Sequence, residues 1–484
     1  MRLPSHLLGS LALGLAVGGC ALNPPPTGDE IRSQSLAHLA VPSGWTAAGK
    51  VPGNIADDWL AGFADSRLHA LVLEALLYNV DLALAAARVE QAAAYAKLSG
   101  STLYPAVNLL AHGGGKGGGD GSGVSGVWLL ASWELDVWGR VRAEREAGRL
   151  QYESSAADAE SARQSIAAMV AKAWVLAIEA RLQGTIAADI VRSSEQAVGL
   201  ARDRLRVGRG DEYDVALAQA NLEAARDTAR QIALAHEQAL RSLELLVGRY
   251  PAATVEVATA LPAWPGAIPA GLPSELLERR PDVIAAERRV AAAFNRVEEA
   301  KAARLPKISL TANVSSVSSD LFVLQNHSNP VWSLGGNLLA PIFNGYALQT
   351  QVEIRTAEQK LAVAEYGRVG AKAFGEVEAA LSAGFAASER EAILARAVAS
   401  NARTLELAQV RFKVGSGDLR AVLQQSVALY GARTALLRVQ SERLIQRVNL
   451  HLALGGGFAA ASPVAASAER VSPALTAGGA VAPR

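Results

Sequence analysis

One unusual phrase occurs twice in this chain: Arg204-Leu-Arg-Val-Gly-Arg-Gly-Asp211 returns as Arg411-Phe-Lys-Val-Gly-Ser-Gly-Asp418. Self-similarity over a long interval means that one supersecondary unit is built twice, each copy leaning on a neighbour to bury its apolar face. Each phrase lies between two Ala/Leu-rich stretches of helical spacing. Upstream, Tyr104-Pro105 and Leu305-Pro306 each open a short alternating segment, and Asp81 aligns with Asp282 as Arg88-Val89 does with Arg289-Val290. The chain therefore divides into a first repeat, 56–250, and a second, 274–456. Each reads as a helix, two strands, a long helix, a tight turn (207–211 and 414–418) and a further helix. The Pro- and Gly-containing stretch 251–273 links them.

The strand segments are 103–112 and 127–138 in the first repeat, 306–317 and 331–343 in the second. Ile308-Ser-Leu-Thr-Ala-Asn-Val-Ser315 alternates strictly; Ser132-Trp-Glu-Leu-Asp-Val137 alternates cleanly, Trp332–Leu338 mostly, and Asn108–His112 weakly. Period-two alternation over about ten residues suits a strand with one face in lipid and one in water. It also suits a half-buried strand of a soluble domain. Trp128, Trp133, Trp138 and Trp332 cluster in these segments, where interfacial aromatics belong. Glu134 and Asp136, two apart on one strand, are expected on the same side of the wall, lining a polar pore. Four strands cannot close a barrel, and an open sheet edge cannot sit in hydrocarbon. Such a chain must oligomerise. Three copies would supply twelve strands, and two or four copies remain open at this point.

From Gly139 to Leu205 and from Tyr346 to Phe412 the chain is helical without a proline, each run about 100 Å long at 1.5 Å per residue. Shorter helices precede the strands (66–99 and 274–303) and follow the turns (212–247 and 419–454). The two short helices together match the long one, so the economical packing stacks them end to end beside it. Val215, Ala218, Leu222, Ala225, Ala229 and Ile232 step by three and four, as do Leu423, Val427, Tyr430, Thr434, Leu437, Ser441, Leu444 and Val448. Such seams demand partner helices. In each turn a glycine, Gly208 or Gly415, can take the positive φ that ends a helix. Asp211 and Asp418 can cap the next one.

The ends and the composition narrow the function. Residues 1–19 read as an export signal, with Arg2 before an apolar run from Leu7 to Val17. Val17-Gly-Gly-Cys20 resembles the lipobox of bacterial lipoproteins, which implies cleavage before Cys20, acylation of its thiol and, with Ala21 following, sorting to the outer membrane. Cys20 is the single cysteine, which excludes intramolecular disulfides and thiolate metal sites. Residues 20–55 read as an extended linker and 457–484 as a disordered tail. Half of the residues are hydrophobic, yet beyond the signal no run reaches the length of a membrane helix. Forty-seven basic against 46 acidic residues leave a net charge of +1, so nucleic acid has no electrostatic reason to bind. Leu110 stands where a phosphate-binding loop around Gly115-Lys116 would need its first glycine, and His236-Glu237 lacks the second histidine of a zinc helix. No catalytic residue, metal ligand or cofactor is expected.

Ser132-Trp-Glu-Leu-Asp-Val-Trp-Gly-Arg140, Arg279-Arg-Pro-Asp-Val283, Ala340-Pro-Ile-Phe-Asn-Gly345 and the two Val-Gly-x-Gly-Asp turns resemble the TolC/OprM outer-membrane factors, in particular their lipid-anchored NodT/OprM-type branch. The resemblance covers roughly residues 20–456. It implies a mainly α protomer with a membrane β-barrel: a homotrimer with twelve strands, a twelve-helix barrel of long antiparallel coiled coils in the periplasm, and a mixed equatorial belt. It implies a passive exit duct for drugs or other small molecules, served by a periplasmic membrane-fusion adaptor and an inner-membrane pump of RND type. The alternative within the resemblance is a duct for type I protein secretion or other solutes. By the same analogy Arg204, Val207, Gly208, Gly210 and Asp211, with Arg411, Val414, Gly415, Gly417 and Asp418, form the adaptor-docking tips. Asp214 and Gln424 stand at the periplasmic gate, where relatives often place acids.

Overall fold

The computed structural model describes residues 25–47, 59–112, 125–266, 273–318 and 331–456. The expected export signal, Cys20, the glycine-rich loop 113–123 and the tail 457–484 lie outside them. In chain order the elements are α1 (Gly28–Ser35), α2 (Ser66–Tyr78), α3 (Val80–Ser101), β1 (Ala106–His112), β2 (Ser125–Leu135), α4 (Arg140–Arg206), α5 (Glu212–Leu246), α6 (Leu276–Arg279), α7 (Pro281–Ala302), β3 (Lys307–Ser318), β4 (Val331–Leu339), α8 (Ala347–Lys413) and α9 (Leu419–Ala453). The duplication holds to the residue: α4 and α8 each have 67 residues, α5 and α9 each 35, α3 and α7 each 22. Two compact units result. One contains Asp81–Ala162, Pro273–Gly375 and the N-terminal residues to Ser43; the other contains Gly44–Val80, Arg163–Leu272 and Glu376 onward.

The first unit carries an antiparallel sheet in the order β1-β2-β3-β4. Directly opposed residues of neighbouring strands project to the same side. The register aligns Leu109, Leu129, Val314 and Trp332 in one row and Val107, Ala131, Ala312 and Leu334 in the next, followed by Trp133 with Leu310 and by Leu135, Ile308 and Leu338. That side is apolar across all four strands. The opposite side aligns Asn108, Leu130, Asn313 and Ser333, then Ser132 with Thr311, then Glu134, Ser309 and Asn337. It is mostly polar. Every residue of β1 and β4 is exposed in the single chain, and among the described residues their outer edges carry no partner strand.

Two strands stop short of their expected ends. β2 ends at Leu135 rather than 138, because Asp136 turns the chain. Its carboxylate accepts the Val141 and Arg142 N–H groups at 3.0 and 2.9 Å, opening α4, and pairs with the Arg142 guanidinium at 3.0 Å. Glu134 faces the polar side but is engaged by Arg140 through two bonds of 2.9 Å. Both carboxylates build the strand-to-helix corner; Glu134 stays on the polar side of the sheet, whereas Asp136 lies past the end of β2 and does not share its strand face as expected. β4 ends at Leu339, two residues before Pro341, which has no N–H to donate. Asp136→Ala is expected to cost about 0.5–2 kcal/mol, as the loss of a helix cap does. Faster amide exchange at Val141 and Arg142 would register it, and unchanged protection there would contradict the assignment.

Residues 20–55 are not extended throughout. Thr27 and Glu30 form a reciprocal capping box that starts α1, whose Ile31 is buried. α1 lies against α7 and α8: a Cβ on Gly28 would meet the Glu287 side chain, and one on Gly367 would come 2.8 Å from the Ser35 carbonyl. The helices expected over 66–99 and 274–303 are each broken. Asn79 turns extended and donates its side-chain amide to the Leu246 carbonyl at 2.8 Å. Pro281 forces Arg280 out of the helical region.

The second unit is a four-helix arrangement of α5, α9 and the C-terminal parts of α4 and α8, with α2 at one end. Trp174 of α4 is fully buried and donates to Asp65, whose other carboxylate oxygen caps α2. Trp59 stacks on His451 at 5.6 Å, and Arg443 lies 3.8 Å over the Trp264 ring. Glu244, with no exposed surface, accepts the N–H groups of Ala253, Thr254 and Val255 at 2.6, 2.6 and 3.1 Å. It fixes the segment that follows α5.

Candidate functional site: the paired hairpin tips

Both long helices of the second unit end in the same backbone device. At the first tip Gly208 has φ +69°, and Gly208 and Arg209 donate to the carbonyls of Leu205 and Arg204 at 3.0 and 2.9 Å. At the second, Gly415 has φ +83°, and Gly415 and Ser416 donate to Phe412 and Arg411 at 3.1 and 2.9 Å. This closure satisfies the last carbonyls of the helix and needs a residue without a Cβ at the left-handed position. Gly210 and Gly417 pass close to their own helix: a Cβ there would come 3.1 and 3.0 Å from the Cβ of Arg204 and Arg411. Asp211 then accepts the Asp214 N–H at 2.8 Å to start α5, and Asp418 accepts those of Arg420 and Ala421 to start α9. Each closure leaves one valine at the apex, Val207 and Val414, 67% and 73% exposed.

The two tips of one chain pack on each other. Val198, Ala201, Ala218 and Leu222 of the first hairpin form a single buried cluster with Phe412, Leu419 and Leu423 of the second. Arg204 lies 4.3 Å over the Phe412 ring. Arg420 lies 5.4 Å from the Tyr213 ring centre and donates to its hydroxyl at 3.3 Å. Asp214 sits half-buried in the first turn of α5 and Gln424 exposed on α9; among the described residues no hydrogen bond joins them. The cross-hairpin groups Tyr213, Phe412, Leu419 and Arg420 escaped sequence reasoning. Their only advance signal is two aromatics and an arginine within four residues of the repeated phrase.

Among the described residues no single helix is long and apolar enough to cross a membrane. A sheet apolar on one side, polar on the other and open at both edges, joined to 67-residue helices that end in paired tips, defines the subunit of a channel wall. The chain belongs to the outer membrane efflux protein family, whose profile matches residues 71–249 and 272–456, one segment per repeat. This is a family of channel proteins, not of enzymes, and the chain is an outer-membrane efflux channel subunit. It is 32% identical over 485 residues to the pyoverdine export outer membrane protein OpmQ of Pseudomonas putida, covering 96% of this chain and 100% of that one. It is 30% identical to the cation efflux system protein CusC of Escherichia coli K12, covering 94% of this chain and 100% of that one. A crystal structure of CusC superposes with a TM-score of 0.79 at 28% identity, over 86% of this chain and 97% of the other.

Proposed function

We propose that the chain works as a homotrimer, lipid-anchored through Cys20, that passes small molecules from a periplasmic adaptor and an inner-membrane pump of RND type out of the cell. The two-faced sheet carries this reading. Its apolar side suits lipid, its polar side suits a water-filled lumen, and its unpaired edges need neighbouring copies. Relatives named for pyoverdine export, cation efflux and antibiotic efflux support small-molecule cargo. The tips, with Val207 and Val414 at their apices, are the surface offered to the adaptor, and their similarity would give a trimer six near-equivalent docking positions. The purified chain is expected to form conducting pores in planar bilayers. It is also expected to restore drug efflux, with a matching pump and adaptor, in a host lacking its own outer-membrane channel. Bilayers that stay electrically silent would refute the duct.

The same tips close the duct at rest in this reading, with Asp214 and Gln424 facing the mouth. The cross-hairpin bond from Arg420 to Tyr213 contributes about 0.5–1 kcal/mol, as an exposed cation–π pair does. An ion pair made by Asp214 in the trimer would add about 0–1 kcal/mol. Holding forces this small yield to a modest shift of the inner helices when the adaptor docks. Arg420→Ala is expected to shift the opening equilibrium roughly two- to fivefold per chain, from that cation–π energy. Single-channel recordings read this as more frequent openings, and a resting leak equal to wild type would remove Arg420 and Tyr213 from the gate. The same recording on Asp214→Ala tests the acid.

A further inference from the structure

One residue of the α9 seam breaks its pattern. Val427 is 60% exposed, while Leu423 and Tyr430, a turn to either side, are buried. It stands at the mouth of a cavity of about 650 Å³ between the α4–α5 and α8–α9 hairpins. The buried tip cluster containing Phe412 and Leu423 closes one end. Along the cavity Tyr430 donates its hydroxyl to the Asp189 carbonyl at 3.1 Å and ties α9 to α4, and the lining runs on past it to Arg438. The walls are apolar at Leu200, Ala225 and Val427, with hydroxyls at Ser194 and Ser426. Among the described residues two charged side chains line the cavity, Lys413 and Arg438, both cationic, and no carboxylate does. Glu179, outside the lining, attracts Arg438, and Lys413 is the cation towards the tip end of the cavity.

We infer that this cavity binds a small amphiphilic organic anion, an aromatic or alkyl body carrying one acidic group. The volume lies within the range that encloses a drug-sized ligand. Apolar walls favour the body, and a lining whose charged groups are both cationic favours an acid over a neutral or cationic head. A ligand seated there touches both hairpins at once and holds them in the spacing seen here. The binding is independent of whether the tips meet an adaptor.

Two fluorescent probes of one shape test it: anilinonaphthalene sulfonate, which is anionic, and N-phenyl-1-naphthylamine, which is neutral. Both are titrated into the purified full-length oligomer, and the micelle signal is cancelled by comparison with Ser426→Trp, which fills the cavity. Wild type is expected to show a saturable component for both probes that Ser426→Trp lacks. The double variant Lys413→Glu/Arg438→Glu is expected to weaken the sulfonate at least tenfold and leave the neutral probe within twofold. Identical titrations of wild type and Ser426→Trp, as when a neighbouring copy fills the cavity, would overturn the inference. So would a charge variant that weakens both probes equally.

Discussion

Replacing Glu244 with alanine is expected to release the segment after α5 and to lower stability by about 1–3 kcal/mol. Three N–H groups, on the half-buried Ala253 and Val255 and the exposed Thr254, bond to this buried carboxylate, and the Thr254 hydroxyl adds a fourth bond at 3.2 Å. Leaving a buried donor unsatisfied costs about 1–3 kcal/mol. Arg249, held to Glu74 by bonds of 2.5 and 2.6 Å at the head of this segment, is the natural reporter. Trypsin is expected to cut after Arg249 in the variant and to spare it in wild type. An unchanged denaturant midpoint with no new cleavage would contradict the role. Burial alone would push the Glu244 carboxyl up, but the N–H groups of Thr254, Ala253 and Val255 together with the Thr254 hydroxyl hold it below the ordinary carboxylate value. A depressed folded value means that the stabilisation is complete above the unfolded carboxylate pKa, about 4.3. It is lost as pH falls through the folded value. Glu244→Gln should therefore flatten the acid limb of the stability profile and leave the slope between pH 5 and 8 unchanged.

Leu334→Arg and Ser333→Arg, adjacent on β4, are expected to behave oppositely. Leu334 is 75% exposed in the single chain and lies in the apolar row with Ala312, Ala131 and Val107; Ser333 lies in the polar row with Asn313. An arginine on the lipid side of a membrane barrel costs about 2–4 kcal/mol near the midplane, against little on the lumen side. Three copies repeat the cost in one assembly. Leu334→Arg is expected to abolish the heat-sensitive oligomer in outer-membrane extracts, and Ser333→Arg to keep it while altering conductance. Equal yields of folded oligomer from both variants would mean that the sheet does not meet lipid on its apolar side.

Much of this architecture was legible because it is local and repeated. The Val-Gly-x-Gly-Asp phrase specifies a helix end, a left-handed glycine and a cap within a few residues, and the structure has these features at both tips. Pro281 announces its own helix break. Asn79 does not, since the carbonyl it binds belongs to Leu246, 167 residues later. The capping box of α1 was present in Thr27 and Glu30, but the prolines before it suggested an extended linker. Alternation showed that β3 had two faces. It did not show that β1, with Leu110 on the polar side, would join them, because face assignment needs the register. The bond between Tyr213 and Arg420 spans 207 positions and has no local spacing to betray it.

The four-strand sheet with two open edges makes one demand that a balance can weigh. Native mass spectrometry of the chain extracted from outer membranes, intact at its N-terminus, should give three copies per particle, collapsing to single chains only when the sheet is lost on heating. A stable single chain that keeps its β signal in detergent would contradict the account, because its edges would then be satisfied without neighbours.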